Sequence, residues 1–198
     1  MKKWMFLADA SNQTVLLIIV VAVVVLIMAI IFWFINVGNT FRKMQVKIDE
    51  AESGIDVALT KRYDMLTKMY QVTKGYAKHE QETLQKVISM RKPQANSSIL
   101  EKEEYSKELN SAIKELNVVV ERYPELKADK NFGKLQEAVS DVEDQLQASR
   151  RIYNSNVSIY NQLIVSFPKS IVANMHGFTK RDFFQAEETK KQDVNLDF

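Results

Sequence analysis

The stretch VLLIIVVAVVVLIMAIIFWFI, from Val15 to Ile35, decides the fold class of this chain of 198 residues. It carries no charge, no Gly and no Pro, and its only polar side-chain atom is the indole nitrogen of Trp33. At about 1.5 Å of rise per residue a helix of that length spans about 31 Å, which matches the roughly 30 Å hydrocarbon core of a bilayer. A core helix of a soluble protein would show a polar stripe, and nothing else in the chain is apolar enough to wrap a rod that is hydrophobic all round. A signal peptide has an apolar region of about 7–15 residues ending in small residues. This run is longer and ends in Phe32, Trp33 and Phe34, which suit an interfacial aromatic belt, with Trp4 and Phe6 as a weaker counterpart at the other end. The run is therefore expected to be an uncleaved, single-span anchor in the lipid bilayer of a cell membrane.

The flanks say little about direction. Lys2 and Lys3 precede the run, partly offset by Asp9, and Arg42, Lys43 and Lys47 follow it. The small excess of cations after the span leans toward a short N-terminus outside and the large domain inside.

Composition narrows the rest. Residues 39–198 suffice for one domain. The net charge of +2 in a chain with 26% charged residues gives no argument for nucleic acid as a partner. With no cysteine, disulfides, thiolate zinc sites, cysteine-ligated clusters and cysteine nucleophiles are all excluded. Only 5 Gly and 3 Pro, amid abundant Glu, Lys, Gln and Leu, favour long helices over a sheet.

After a polar junction at Asn36, Gly38 and Asn39, apolar residues recur every three or four positions. Met44, Ile48, Ala51, Ile55, Ala58 and Leu59 write one helix face, so the anchor is expected to run on into the first helix of a bundle. Helical periodicity continues from Tyr63 to Met90 through Leu66, Met69, Tyr70, Val72, Tyr76, Leu84 and Val87. Asp64 either caps a second helix or lies inside one rod. Pro93 with Asn96, Ser97 and Ser98 breaks the pattern. A further helix is expected from about Ser98 to Arg122, turning Leu100, Leu109, Ile113, Leu116, Val119 and Val120 inward. Residues 125–131 read as a loop, with Asn131 as the next cap. The last long helix, Phe132 to about Phe167, carries Leu135, Val139, Val142, Leu146, Ile152, Tyr153, Ile159, Tyr160 and Leu163 as its stripe, and Pro168 stops it. Ile171, Val172, Phe178, Phe183 and Phe184 are expected to hold the start of the charged tail against the bundle.

Amphipathic segments joined by short loops hide their stripes most simply as an up-down bundle, with a long parallel coiled coil as the weaker alternative. The fold class is all-α: a single N-terminal transmembrane helix followed by an antiparallel bundle of long helices. Residues 1–14 form a short N-terminal segment, 15–37 the anchor, 39–168 the bundle and 169–198 a partly ordered tail.

One local pattern stands out. Arg150, Arg151, Ile152, Tyr153 and Asn154 are followed seven residues later by Tyr160 and Asn161. Seven residues make nearly two turns, so the two Tyr share one face and the two Asn share the adjacent one. The favoured reading is structural, with buried Tyr hydroxyls finding partners and Asn amides fixing register. The functional alternative makes Arg150, Arg151, Tyr153, Asn154, Tyr160 and Asn161 a polar contact surface. His79, with Glu80 and Glu82 close by, is the one possible metal ligand set, but Thr83 stands where a metalloprotease helix needs its second His. The glutamates at 101, 103 and 104, and the acids at 141, 143 and 144, read as solvated faces. No glycine-rich phosphate loop and no nucleophile elbow occurs, and neither a catalytic residue nor a cofactor is expected.

The runs IDVALTKRYDML, KGYAKHEQETLQKVISMR, RYPELKADKNFGKLQEAV, DVEDQLQASRRIYNSNVSIYNQLIVSFP and GFTKRDFFQAEE, in that order, resemble the LemA family of bacterial membrane proteins. Arg151 with Tyr153 and Asn154, then Tyr160 and Asn161, form the most specific block. The resemblance covers about Asn39 to Phe184. It implies one N-terminal transmembrane helix, an antiparallel helical bundle and an outside N-terminus. The chain departs from the family pattern at Gly38 and Asn39, where Tyr-Asn is common, and at Ala51 and Glu52, where Ala-Trp is common. It departs again at Met65, Leu66 and Thr67, where Leu-Ile-Pro is common, and losing that proline favours a helix continuous through Asp64. The family brings no established biochemical activity and no catalytic residues. The expectation is a non-enzymatic scaffold or interaction protein of the bacterial envelope whose partner is another envelope protein or itself. The competing one is a metal-dependent sensor or enzyme using His79 and nearby carboxylates.

Overall fold

Thr67 stands where a proline would have cut the backbone ladder, and its hydroxyl instead donates to the Tyr63 carbonyl one turn back, at 2.9 Å. The first helix, α1, accordingly runs without a break over Lys2–Tyr76, with Asp64 inside it. The computed structural model describes residues 2–76, 90, 93–94 and 97–185, with side chains from residue 14 onward. Among these the further helices are α2 (Ile99–Arg122), α3 (Pro124–Lys127), α4 (Lys130–Val165) and α5 (Lys169–His176), and there is no strand. Of the helix expected over Tyr63 to Met90, the part from Tyr63 to Tyr76 belongs to α1 and residues 77–89 lie outside the described residues. Met90 is described, is half-buried and is not helical.

The chain divides into two compact units, Met1–Met44 with Gln162–Thr179, and Gln45–Asn161 with Lys180–Phe198. In the first, the most apolar window of α1 has a mean hydropathy of 3.7 and buries none of itself in protein. Only lipid can remove that much apolar surface from water, so α1 is a membrane-spanning helix. Just past the apolar run, Val37 and Phe41 become buried. There α5 packs alongside, with Phe178 stacked on Phe41 at 4.9 Å and the His176 ring 5.2 Å from Phe34. Gly177 ends α5 at φ +70°, the left-handed conformation that lets its amide and that of Phe178 return to the last helical carbonyls. Of the residues expected to hold the tail, Val172 and Phe184 are buried and Phe178 half-buried, whereas Ile171 and Phe183 are exposed, with Ala173 buried instead.

In the second unit the pairing of residues fixes helix direction. Gln45 of α1 meets Tyr160 of α4, the Lys47 carbonyl meets Asn156, Lys61 meets Gln145, and Arg62 meets Glu143. Numbers rise in α1 as they fall in α4, so the two helices are antiparallel. The N-terminal turn of α2 brings Lys102 to Glu52 and Asp56, and the chain after α2 places Asp129 at Tyr76. Helix α2 therefore runs parallel to α1 and antiparallel to α4.

The α1 face is buried as the spacing predicts, from Met44 and Ile48 through Leu59 to Leu66, Met69 and Tyr70. In α2, Leu109, Leu116, Val119 and Val120 are buried, Ile113 is half-buried and Leu100 is exposed, because Ile99 takes the inward position one residue earlier. In α4 the buried stripe is Phe132, Val142, Leu146, Tyr153, Val157 and Tyr160. Ile152 and Ile159 are exposed: each precedes an inward Tyr by one residue and so lies about 100° off the stripe.

The helix ends follow local chemistry. Ser98 caps α2 in a reciprocal box with Glu101. The expected loop at 125–131 instead opens on α3, with Leu126 buried. The cap of α4 is Asp129 rather than Asn131, its Oδ1 accepting the amides of Asn131 and Phe132 at 2.7 and 3.1 Å. Those donors and the Tyr76 hydroxyl hold the Asp129 carboxyl below the usual carboxylate range, the Phe132 amide contributing most.

Candidate functional site

Asn154 and Asn161 are seven residues apart on α4, a rise of about 10.5 Å. Arg181 and Phe184, three residues apart in the segment that follows α5, are about 10 Å apart in an extended chain. The two repeats match, and the structure uses the match. Asn161 donates through Nδ2 to the Arg181 carbonyl at 2.9 Å and accepts the Arg181 amide at 3.0 Å. Asn154 does the same for Phe184, with both bonds at 2.8 Å. Each side-chain amide thus presents one acceptor and one donor to a single residue, as a neighbouring strand would. Between them the Tyr153 hydroxyl donates to the Asp182 carbonyl at 3.0 Å, and the Glu103 carboxylate accepts the Gln185 amide at 3.3 Å.

Side chains add less than backbone. Phe184 is buried, with the Arg150 guanidinium 4.4 Å from its ring centroid, and Arg150 also donates to the Ser106 hydroxyl. The Arg181 guanidinium reaches Asp49 at 3.3 Å across an exposed surface, a contact of small value. Of the residues singled out in the sequence, Arg150, Tyr153, Asn154 and Asn161 meet on this segment. Tyr160 is buried with its hydroxyl accepting from Gln45 at 3.3 Å, and Arg151 is exposed. The partners of the two asparagines are main-chain atoms of residues 181 and 184.

Sequence reasoning missed the polar residues facing this site. Lys102, in the first turn of α2, is only 1% exposed and lies 2.8 Å from Glu52 and 2.9 Å from Asp56. Burial alone would lower its pKa, but the hydrogen bonds it donates to Glu52 and Asp56, with their charges, outweigh that and raise it. Glu103 is buried, pairing with Lys107 and the Gln185 amide, so the run at 101–104 is not a uniformly solvated face. Glu143 likewise turns to the buried Arg62 at 2.7 Å. The i, i+3, i+7 spacing of Glu52 and Asp56 after Asp49 was the available signal, since it sets three acids on one side of α1. A cavity of about 570 Å³ opens beside them, bounded also by Tyr153, Lys102 and Arg181. His79 lies outside the described residues, and among the described ones no group of three His, Asp or Glu is placed to hold a metal.

Burial pushes the Tyr153 hydroxyl up to about 12, aided by the Glu52 charge, and burial also raises Tyr105 and Tyr160. A raised pKa means that the folded chain keeps protons the unfolded chain has released at about pH 10. Stability is then fully present below pH 10 and falls as pH rises toward 12; the raised Lys102 acts in the same direction. The melting temperature should therefore hold steady from pH 7 to 9 and drop beyond pH 10, together with the rise in tyrosinate absorbance. A melting temperature unmoved while the tyrosines ionise would contradict this.

The model of the LemA family matches residues 51–198. Protein LemA of Metamycoplasma hominis is 32% identical over 169 residues, covering 83% of this chain and 77% of that protein. Magnetosome protein MamQ 2 of Paramagnetospirillum magneticum is 29% identical over 75 residues, covering 38% of this chain and 28% of its own length. Magnetosome protein MamQ of Magnetospirillum gryphiswaldense is 26% identical over 74 residues, covering 37% and 27%. With the family matched over most of its length and a relative of this identity matched over most of both proteins, this chain belongs to the LemA family.

Proposed function

We propose that the protein is a non-enzymatic, membrane-anchored interaction component of the cell envelope, and that the Asn154–Asn161 face of its bundle is where extended peptide segments dock. One observation carries the reading: two asparagines each engage both main-chain groups of a single residue, the two residues lying three apart in one segment. Recognition through main-chain atoms fixes a peptide's path while leaving most of its side chains free, which suits a scaffold that holds more than one sequence. In this chain its own residues 180–185 occupy the face. The partner is another envelope protein or a second copy, and nucleic acid is not a partner. The bundle lies inside and the short N-terminus outside, a reading supported by the cations after the span and by the resemblance to the family.

Crosslinking in intact cells, with purification through a C-terminal tag and mass spectrometry, tests this. The wild type should be compared with a chain that ends at Thr179. Removal of the tail should raise crosslinks from an envelope protein, or from a second copy, to residues flanking Asn154 and Asn161. Crosslinks that never involve this face in either chain would overturn the docking role.

A further inference from the structure

Helix α5 turns opposite faces to protein and to its surroundings. Val172 and Ala173 are fully buried, and His176 stacks between Phe34 and Phe178 at 5.2 and 5.7 Å. At 100° per residue, Ile171 and Met175, four apart on the helix, lie about 130° around from that face. Both are large, apolar and exposed, Ile171 by 50% and Met175 by 70%, and Phe167, in the turn before the helix, is 82% exposed.

The level of α5 along α1 explains such exposure. Its contacts are with Phe34, Gly38 and, through Phe178, Phe41. Phe34 lies within the apolar run that ends at Ile35, and Phe41 lies six residues beyond it, about 9 Å. The headgroup layer adds about 5–7 Å on each side of the hydrocarbon core. Helix α5 is thus level with the headgroups, beside a span whose own surface must face lipid, and its apolar stripe continues that lipid-facing surface.

We propose that α5 is a membrane-surface helix, seated in the headgroup layer of the bilayer that α1 crosses, with Phe167, Ile171 and Met175 inserted at the acyl boundary. The occupant of the stripe is lipid rather than a protein partner, because each of the three side chains gains burial there without any further component. This is independent of the peptide face.

The chain has no cysteine, so single-cysteine variants can be labelled cleanly. Full-length Met175→Cys carrying an environment-sensitive nitrobenzoxadiazole dye is reconstituted in vesicles of phosphatidylcholine and phosphatidylglycerol. Quenching by lipid bearing a nitroxide near the headgroup is compared with quenching by aqueous iodide, and Phe167→Cys and Ile171→Cys guard against a local effect at one site. All three should be quenched several-fold more by the lipid nitroxide than by iodide, with blue-shifted emission. Preferential quenching by iodide would overturn the proposal, and so would protection from both quenchers, which would mean that protein covers the stripe.

Discussion

Replacing Asn154 and Asn161 together by Ala will release residues 180–185 from the bundle while leaving the helices folded. Four hydrogen bonds are lost, and the main-chain groups set free return to water, so each costs about 1 kcal/mol net. The sum of about 4 kcal/mol corresponds to roughly a thousandfold rise in the open population of the segment. Trypsin cuts after Lys180 and Arg181, and cleavage of a rapidly opening segment follows that population. Cleavage there should accelerate by about two to three orders of magnitude, with helical content nearly unchanged because Asn154 and Asn161 are not part of the apolar stripe. Asn154→Asp keeps the acceptor and loses the donor, so it should give a smaller effect. An unaltered cleavage rate in the double alanine variant would mean that the segment is held by its other contacts, those of Phe184, Tyr153 and Glu103.

The second large effect is expected from Glu52→Gln combined with Asp56→Asn, which strands the Lys102 ammonium in a site that is 1% exposed. Leaving a buried charge without its counter-ions costs about 3–5 kcal/mol, and the amides that remain can still accept hydrogen bonds, so about 3 kcal/mol is expected. The pH dependence should also change sign. With its carboxylates gone, Lys102 is left with burial, which lowers an amine's pKa. Above that lowered pKa and up to the ordinary value near 10.5 the folded state binds fewer protons than the unfolded one, so stability should be greater at pH 9.5 than at pH 7, where the wild type is level. Urea unfolding at the two pH values reads this directly; a loss under 1 kcal/mol with no pH slope would show that Lys102 does not depend on the pair.

Much of the architecture was legible in the sequence because it rests on period. The run from Val15 to Ile35 is legible because it is apolar without interruption, and the α1 face from Met44 to Leu59 because it repeats a simple spacing; that face is buried as read. Errors came where two neighbouring residues are both apolar, as at Ile99 and Leu100, Ile152 and Tyr153, and Ile159 and Tyr160, since periodicity alone does not choose between adjacent positions. The site was half legible. The seven-residue repeat of Tyr and Asn marked the face on which residues 181–184 lie, but the partners of Asn154 and Asn161 are main-chain atoms 30 and 20 residues away, which leave no residue-type signature. Lys102 and Glu103 were hidden for another reason: charged residues near a helix start are exposed by default, and only the position of α1 opposite them brings them into the interior.

Amide hydrogen exchange across residues 180–185 of the full-length chain tests the central claim most directly. The amides of Arg181 and Phe184 are bound by Asn161 and Asn154, whereas the structure gives those of Asp182 and Phe183 no acceptor among the described residues. The account predicts slow exchange at 181 and 184 and fast exchange at 182 and 183, with protection at both slow sites lost in the double alanine variant. Equal exchange at all four amides would contradict it.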